Sequence, residues 1–487
     1  MADVFAGLQP EPVWRHFYGI TQVPRPSKKE EQILKYLKDL LGDMNIEYTE
    51  DSAGNMVVKK AASPGYENAP TVLIQGHVDM VCEKNKGTEH DFEKDPIKLI
   101  RDGDWITADG TTLGADNGIG VAAGLAVLEA KDLTHGPMEF LFTVDEETGM
   151  TGAKELKPGF LNSDIMLNLD SEEDGTLYVG CAGGMDTAGI MHMRREDAPA
   201  GFKALEINVG GLKGGHSGLD IHTGRGNAIK MLARTLQIVK NGHGARLNSF
   251  IGGSKRNAIP REAEAVVYVP EADVNDIIAH MAKVTEMLLN EISTVEPDLK
   301  VTAKEVDADG KVLDDAQFSA LINALYACPH GVIKMSADIP GLVETSTNLA
   351  TVTMDDGKII VGTSQRSSVE SEKQDCTNMV KAVFELAGLK VESGDGYPGW
   401  KPNMQSKALK ATKDAYKELF GDEPEVTAIH AGLECGLINE VFPNLDIISF
   451  GPTIEGAHSP DERLNIPATE KFWTLLTKVL ENLAKAK

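Results

Sequence analysis

Apolar residues recur at helical spacing through Ile33, Leu34, Tyr36, Leu37, Leu40 and Leu41, directly after Ser27-Lys28-Lys29-Glu30. The S-x-x-E spacing has the form of a capping box, so the pattern predicts an amphipathic helix opened by Ser27. Short β-rich runs bounded by Gly, Asp and Pro follow at 71–75, 138–144, 165–169 and, far downstream, 447–450. Between them, 117–131 reads as a helix whose small residues Gly118, Gly120, Ala122, Ala123 and Gly124 let it lie close on a sheet. Strand and helix in alternation predict an α/β layered domain around a largely parallel sheet.

The middle of the chain has another rhythm. Two passages each lead from an extended pair to a strand and then a long helix: 246–260 with strand 263–269 and helix 274–292, then 344–349 with strand 358–363 and helix 372–387. The repetition predicts an inserted α+β domain made of two similar halves. The alternating pattern resumes after Trp400, so the expected division is a first part of the α/β domain at 1–185, the insertion at 186–397 and a second part at 398–487.

Composition narrows the function. Lys and Arg total 48 against 74 Asp and Glu, a formal charge of −26 that repels a phosphate backbone or an anionic bilayer, so neither nucleic acid nor membrane is expected as a partner. No apolar run approaches the roughly 18 residues of a membrane span, and the opening lacks a basic, then apolar, leader. Cys82, Cys181, Cys328, Cys376 and Cys435 are scattered without a C-x-x-C pair, which fits reduced thiols and a cytoplasmic location. Any metal must find other ligands.

Several segments offer them, and each alone has a plain structural explanation. His77 and Asp79 in Gly76-His77-Val78-Asp79 fall on one side of a strand, where a hydrogen-bonded structural histidine would also sit. Asp116 in Gly114-Ala115-Asp116-Asn117-Gly118 stands at a helix start and reads equally as a cap. Asp145-Glu146-Glu147 sets three acidic residues in a row, whose repulsion a cation or solvent must relieve. Asp170 in Leu167-Asn168-Leu169-Asp170 and His458 in Gly456-Ala457-His458-Ser459-Pro460-Asp461-Glu462 complete the set. What unites them is place: each follows the carboxyl end of a predicted strand, where open α/β sheets bind ligands. Histidines and carboxylates converging there suit a zinc or manganese pair with one bridging carboxylate.

In order, GHVDM, GADNGIG, DEETG, LNLD and GAHSPDE resemble the motifs of the M20 metallopeptidase family, over nearly the whole chain. The segment IHAGLECG at 429–436 is similar to the family's cytosolic aminoacyl-histidine dipeptidase branch. The resemblance implies a zinc-peptidase catalytic domain interrupted by a lid and dimerisation domain, and two divalent ions per subunit, zinc with Mn2+ or Co2+ able to substitute. It implies His77, Asp116 and Asp170 as ligands of one ion and Asp116, Glu147 and His458 of the other, with Asp116 bridging. Asp79 would orient His77, and Glu146 would be the general base for a metal-bridging water attacking the peptide carbonyl. An Asp at position 170, where deacylases of the family carry Glu, favours a peptidase.

In the insertion, His216 of Gly214-Gly215-His216-Ser217-Gly218 matches the lid histidine that stabilises the oxyanion in the partner subunit, although a Gly-flanked His also reads as a turn residue. Asn257 matches a lid asparagine, and Arg366 the arginine that grips the substrate's terminal carboxylate. The strand 263–269 lacks the arginine many relatives carry there. His430 and Glu434 stay open between contact with the substrate amino group and packing at a helix start. The implied protein is a cytoplasmic homodimer, joined through the lid, that cleaves unblocked dipeptides and prefers Xaa-His, β-alanyl-histidine types included. An aminotripeptidase, an N-acyl amino acid deacylase and a non-catalytic metal-binding scaffold are the alternatives; Glu146 argues against the last, since a scaffold needs no general base.

Overall fold

The computed structural model describes residues 3–394 and 396–486. It divides into two compact units, Met1–Gly180 with Trp400–Ala428 and Leu433–Lys487, and Cys181–Gly399 with Ile429–Gly432.

In the first unit the strands Met138–Thr143, Val72–His77, Ile165–Asn168 and Asp446–Ser449 lie side by side and parallel, in that order. Their sequences are continuous rather than alternating apolar runs, and every residue of the first three is buried, as strands covered on both faces require. Antiparallel strands extend both edges, Met56–Lys60 and Tyr48–Glu50 on one side and Thr176–Cys181 on the other, so the sheet is mixed around a parallel centre. The helix Ala115–Glu129 packs against it through its small residues: a Cβ on Gly120 would come within 2.6 Å of the Leu169 carbonyl oxygen.

The expected capping box does not form. The helix over the apolar pattern runs Glu31–Asp43, and Ser27 instead donates to Asp79 at 2.7 Å. Glu30 Oε1 accepts from the amides of Lys28 and Asp145. Both side chains of the S-x-x-E spacing are thus taken by the acidic residues that follow two sheet strands, a tertiary demand that outweighs a local cap.

The second unit confirms the duplication and adds its topology. One half reads strand Phe202–Gly210, helix Ala228–His243, strands Arg246–Gly252 and Ala263–Pro270, helix Val274–Ile292, strand Lys300–Glu305. The other reads strand Gly183–His192, helix Asp315–Ala327, strands Val343–Asp355 and Lys358–Ser367, helix Glu370–Leu386, strand Lys390–Ser393. Each is strand-helix-strand-strand-helix-strand with lateral order 4-1-3-2, and the first half is nested inside the second, between its first strand and first helix. The halves join into one antiparallel sheet where Gly252 pairs with Val352. Residues of all four helices share one core with the strands, among them Leu232, Leu236, Ile277, Met281, Phe318, Leu321, Val380 and Phe384. Arg366 stands on the third strand of its half, topologically equivalent to Ala263–Pro270, which carries no arginine.

Candidate functional site

The parallel strands deliver most of the candidate residues at their carboxyl ends. His77 is the last residue of its strand, 145–147 follow Thr143, and Asp170 lies two beyond Asn168. Asp116 departs from the expectation: it arrives not from the central sheet but from a separate four-stranded sheet containing Trp105–Ala108, and stands in the first turn of its helix with non-helical φ −78°, ψ 114°. His458 is likewise nine residues past the strand ending at Ser449, in the turn between the short strands Ile454–Glu455 and Arg463–Asn465. Its φ of 64°, and that of 49° at Asp145, place two non-glycine residues in the left-handed region, where such residues are uncommon and gather at functional sites.

The side chains converge. His77 Nε2 lies 3.1 Å from Asp116 Oδ1 and 3.3 Å from Asp170 Oδ1, and His458 Nε2 lies 3.1 Å from both Asp116 Oδ2 and Glu147 Oε2. Two groups that could each hold a metal ion result, His77-Asp116-Asp170 and Asp116-Glu147-His458, sharing Asp116 through its two oxygens. A third group, His77-Glu146-Glu147, brings Glu146 to the same place. On the far side of the His77 ring, Asp79 Oδ1 is 3.3 Å from Nδ1 and accepts the amide of Glu146 at 3.0 Å, while Oδ2 accepts that of Glu147 at 3.2 Å.

Electrostatics mark the cluster as a cation site. Among the described residues, the charged partners of Asp116, Glu147 and Asp170 within 4 Å are the two histidines. Hydrogen bonds to Asp116 and Glu147 lift His458 to about 11. Burial, together with repulsion from Asp116 and Glu147, raises Asp170 to about 7 against the pull of His77. Burial also raises Glu146 well above the carboxylate range, with Asp170, Glu434 and Glu147 adding to it. Asp79 differs: burial opposes ionisation, but His77, the Glu146 amide and Ser27 hold it down at about 2. Glu147 Oε1 is buried without a hydrogen-bond partner among the described residues. Nitrogen and oxygen donors in two overlapping sets, with an orphaned carboxylate oxygen, fit a pair of divalent ions better than they fit protons.

Two buried residues that sequence reasoning missed fasten this arrangement. Glu462 accepts four backbone amides, from Leu113 and Gly114 at 2.7 and 2.9 Å and from Ala115 and Asp116 at 2.7 and 3.3 Å, so the loop that carries His458 is tied to the turn that carries Asp116. Arg25 donates to the carbonyls of Val78, Asp79 and Gly114, binding that turn to the segment after His77. Gly114 has φ 71° and a Cβ there would lie 2.4 Å from Arg25 Nη2, which explains the first glycine of GADNG. The available signals were the spacing His458-x-x-x-Glu462 and an arginine between two prolines, Pro24-Arg25-Pro26.

The second unit carries the remaining candidates. Gly215–His216 pairs antiparallel with Ala258–Ile259, setting His216 opposite Ala258 and beside Asn257, whose carbonyl accepts the Ser217 amide at 2.8 Å. His216 Nδ1 accepts the amides of Gly218 and Leu219 at 3.2 and 3.1 Å, and burial with the nearby Arg366 charge holds the ring at about 4. The ring is therefore neutral near pH 7 and presents Nε2–H outward from this turn. Arg366 donates to the Tyr397 hydroxyl at 3.0 Å, and its Nε is buried without a partner among the described residues. His430 shares a 2.7 Å hydrogen bond with Ser346 Oγ.

Residues 73–482 match the model of Peptidase family M20/M25/M40, and the chain belongs to that family of hydrolases. It is 43% identical, over 98% of both chains, to the cytosol non-specific dipeptidase of Escherichia coli. The crystal structure of an aminoacylhistidine dipeptidase from Vibrio alginolyticus superposes with a TM-score of 0.91 at 44% identity, covering 99% of this chain and 98% of that one. An aminopeptidase PepT from Bacillus cereus shares the fold at 18% identity and TM-score 0.57, over 98% of this chain and all of the other. Among the described residues no helix is long and apolar enough to cross a membrane.

Proposed function

We propose that this chain is a metal-dependent dipeptidase that hydrolyses unblocked dipeptides and prefers histidine at the carboxyl end, β-alanyl-histidine types included. The observation that carries the reading is the pair of His/carboxylate groups sharing Asp116, in a chain alike over almost its full length to two dipeptidases. His77, Asp116 and Asp170 would hold one ion, and Asp116, Glu147 and His458 the other. Bound there, a divalent pair, zinc with Mn2+ or Co2+ as substitutes, polarises the scissile carbonyl and lowers the pKa of the attacking water.

The protein's own groups do the rest. Asp79 takes the Nδ1 side of His77 and so directs Nε2 toward the ligand position. Glu146, its amide pinned to Asp79, accepts the proton of the attacking water and returns it to the leaving amine. His216, with Nδ1 capped by two amides, offers Nε2–H to the oxyanion that develops on the carbonyl oxygen, reaching it from the partner in a homodimer built through the second unit. Arg366 binds the terminal carboxylate through its Nε edge, and Asn257, whose carbonyl accepts the amide of Ser217 next to His216, is the proposed substrate-binding asparagine. The cytoplasm is the proposed location, in keeping with the name of the Escherichia coli relative.

Hydrolysis of four substrates by metal-stripped and zinc-restored protein tests this: an Xaa-His dipeptide, its N-acetylated form, a tripeptide and a dipeptide without histidine. Zinc-dependent cleavage confined to the free dipeptides, fastest before histidine, is the expected result. Cleavage of the acetylated form would reassign the chain to the deacylases, and undiminished activity after exhaustive chelation would remove the metals from the mechanism.

A further inference from the structure

Beneath the candidate metal centre a line of polar side chains crosses the parallel strands within an otherwise apolar sheet. Glu434 Oε2 accepts from Gln75 Nε2 at 2.7 Å and from Thr143 Oγ1 at 2.6 Å. Gln75 accepts from Asn168, Asn168 accepts from Ser449, and the Ser449 hydroxyl pairs with that of Ser171 at 2.6 Å. Glu434, Thr143, Asn168 and Ser449 are 0% exposed and Gln75 is 1%. Gln75 and Asn168 each precede a candidate ligand, His77 and Asp170, by two residues, and Thr143 opens the acidic turn; residues two apart share a face of a strand.

Glu434 is the charged end of this line. It is the first residue of the helix Glu434–Val441, but its side chain bonds the sheet rather than the amides of its own helix, so an ordinary helix-start role does not describe it. Its second oxygen, Oε1, is buried with no hydrogen-bond partner among the described residues. Burial pushes the carboxyl up to about 7, opposed by His77 and Thr143 and reinforced by Asp170 and Asp79. A buried carboxylate short of partners is costly unless a cation lies close enough to balance it. The offset from Gln75 to His77 is two strand residues, about 7 Å, a range over which charges interact strongly in a protein interior.

We propose that Glu434 is a positioning residue of the metal centre: a buried anion outside the ligand set, balanced by the bound ions, which also holds the strands bearing His77 and Glu147 together. The proposal rests on the dinuclear reading above. Its two contributions separate by mutation. Glu434→Gln keeps the size and an acceptor for Gln75 and Thr143 but removes the charge. Glu434→Asp keeps the charge and shortens the reach, breaking the hydrogen bonds.

The test is zinc titration of metal-free protein together with thermal melting of the same metal-free samples. Expected for Glu434→Gln is a loss of about 10-fold in zinc affinity, with a metal-free melting temperature equal to or above the parent's. Expected for Glu434→Asp is the reverse, affinity within about threefold of the parent and a lower melting temperature. Unchanged affinity in Glu434→Gln overturns the proposal, as does a fall in affinity that tracks a fall in melting temperature in both variants, the mark of a merely structural residue. If Glu434→Gln does not fold, Glu434→Asp decides: zinc affinity within about threefold of the parent at a lower melting temperature supports the proposal, and a fall in affinity that tracks the fall in melting temperature overturns it. Parent protein that binds no zinc would defeat the dinuclear reading itself, whereas parent and variants all binding two ions equally would defeat this proposal alone.

Discussion

Single side chains in the site divide by what surrounds them. Glu146 and Glu147 are neighbours in sequence, yet Glu147 meets His458 at 3.1 Å while Glu146 makes no ion pair within 4 Å among the described residues and keeps a raised proton affinity through burial and adjacent carboxylates. A carboxylate free of a fixed partner beside two others is the one able to exchange a proton. Glu146→Gln should therefore lower kcat by roughly 10²–10⁴-fold while binding as much zinc as the parent, measured by kinetics and by metal analysis on one preparation. Loss of zinc in parallel with kcat would make Glu146 a ligand instead. Composition and spacing alone place both residues in an acidic turn; the motif resemblance separates their roles, and the fold puts Glu147, not Glu146, against His458.

At the scale of elements, the site is a set of strand ends and loops held in register by buried polar groups. The GADNG turn illustrates it: Gly114 gives its carbonyl to Arg25 and its amide to Glu462, so one residue joins the segments bearing His77, Asp116 and His458. Gly114→Ala would force a methyl group into the left-handed region and against Arg25 and Met80. The expected cost is about 2–4 kcal/mol by thermal or denaturant unfolding, with zinc affinity falling alongside stability. An alanine variant as stable as the parent would mean the turn has room that its geometry denies. The helices and strands themselves were legible because their patterns are local: the long helix Val274–Ile292 and the strand Ile165–Asn168 lie where apolar periodicity sets them. Ser27 was misread for the complementary reason, since its hydroxyl found a better acceptor in Asp79, 52 residues away.

For the whole molecule, buried histidines should make stability fall with acid. In the second unit, burial holds three imidazoles low: His330 at about 4, with the Lys230 charge adding, His216 at about 4 and His430 at about 3. A depressed histidine pKa means the unfolded chain binds more protons than the folded one between the folded value and about 6.5, so stability is lost as pH falls through that window. For the half-buried His330, which accepts the Leu349 amide at 3.3 Å, the loss reaches at most about 3 kcal/mol by pH 4. Melting curves of the protein between pH 7 and pH 4.5 should show a transition that moves down with acid, and His330→Asn should flatten its slope. A slope unchanged by that substitution would place the acid sensitivity elsewhere.

Motif order, strand placement, the small-residue helix and the doubled insertion were all determined by the sequence, because each depends on residues close together in the chain or on a pattern that repeats. Only the tertiary structure decided that Asp116 joins the candidate site from a second sheet, that Ser27 and Glu30 serve the acidic turn, that one half of the insertion nests within the other, and which distant groups Arg25, Glu462 and Glu434 bond. The hydrogen bonds made by Arg25, Glu462 and Glu434 reach partners from 53 to 359 residues away along the chain. Hydrogen bonds over such separations leave no local period: a buried carboxylate or guanidinium must be satisfied, but which distant amide or carbonyl satisfies it is set only when the strands have met.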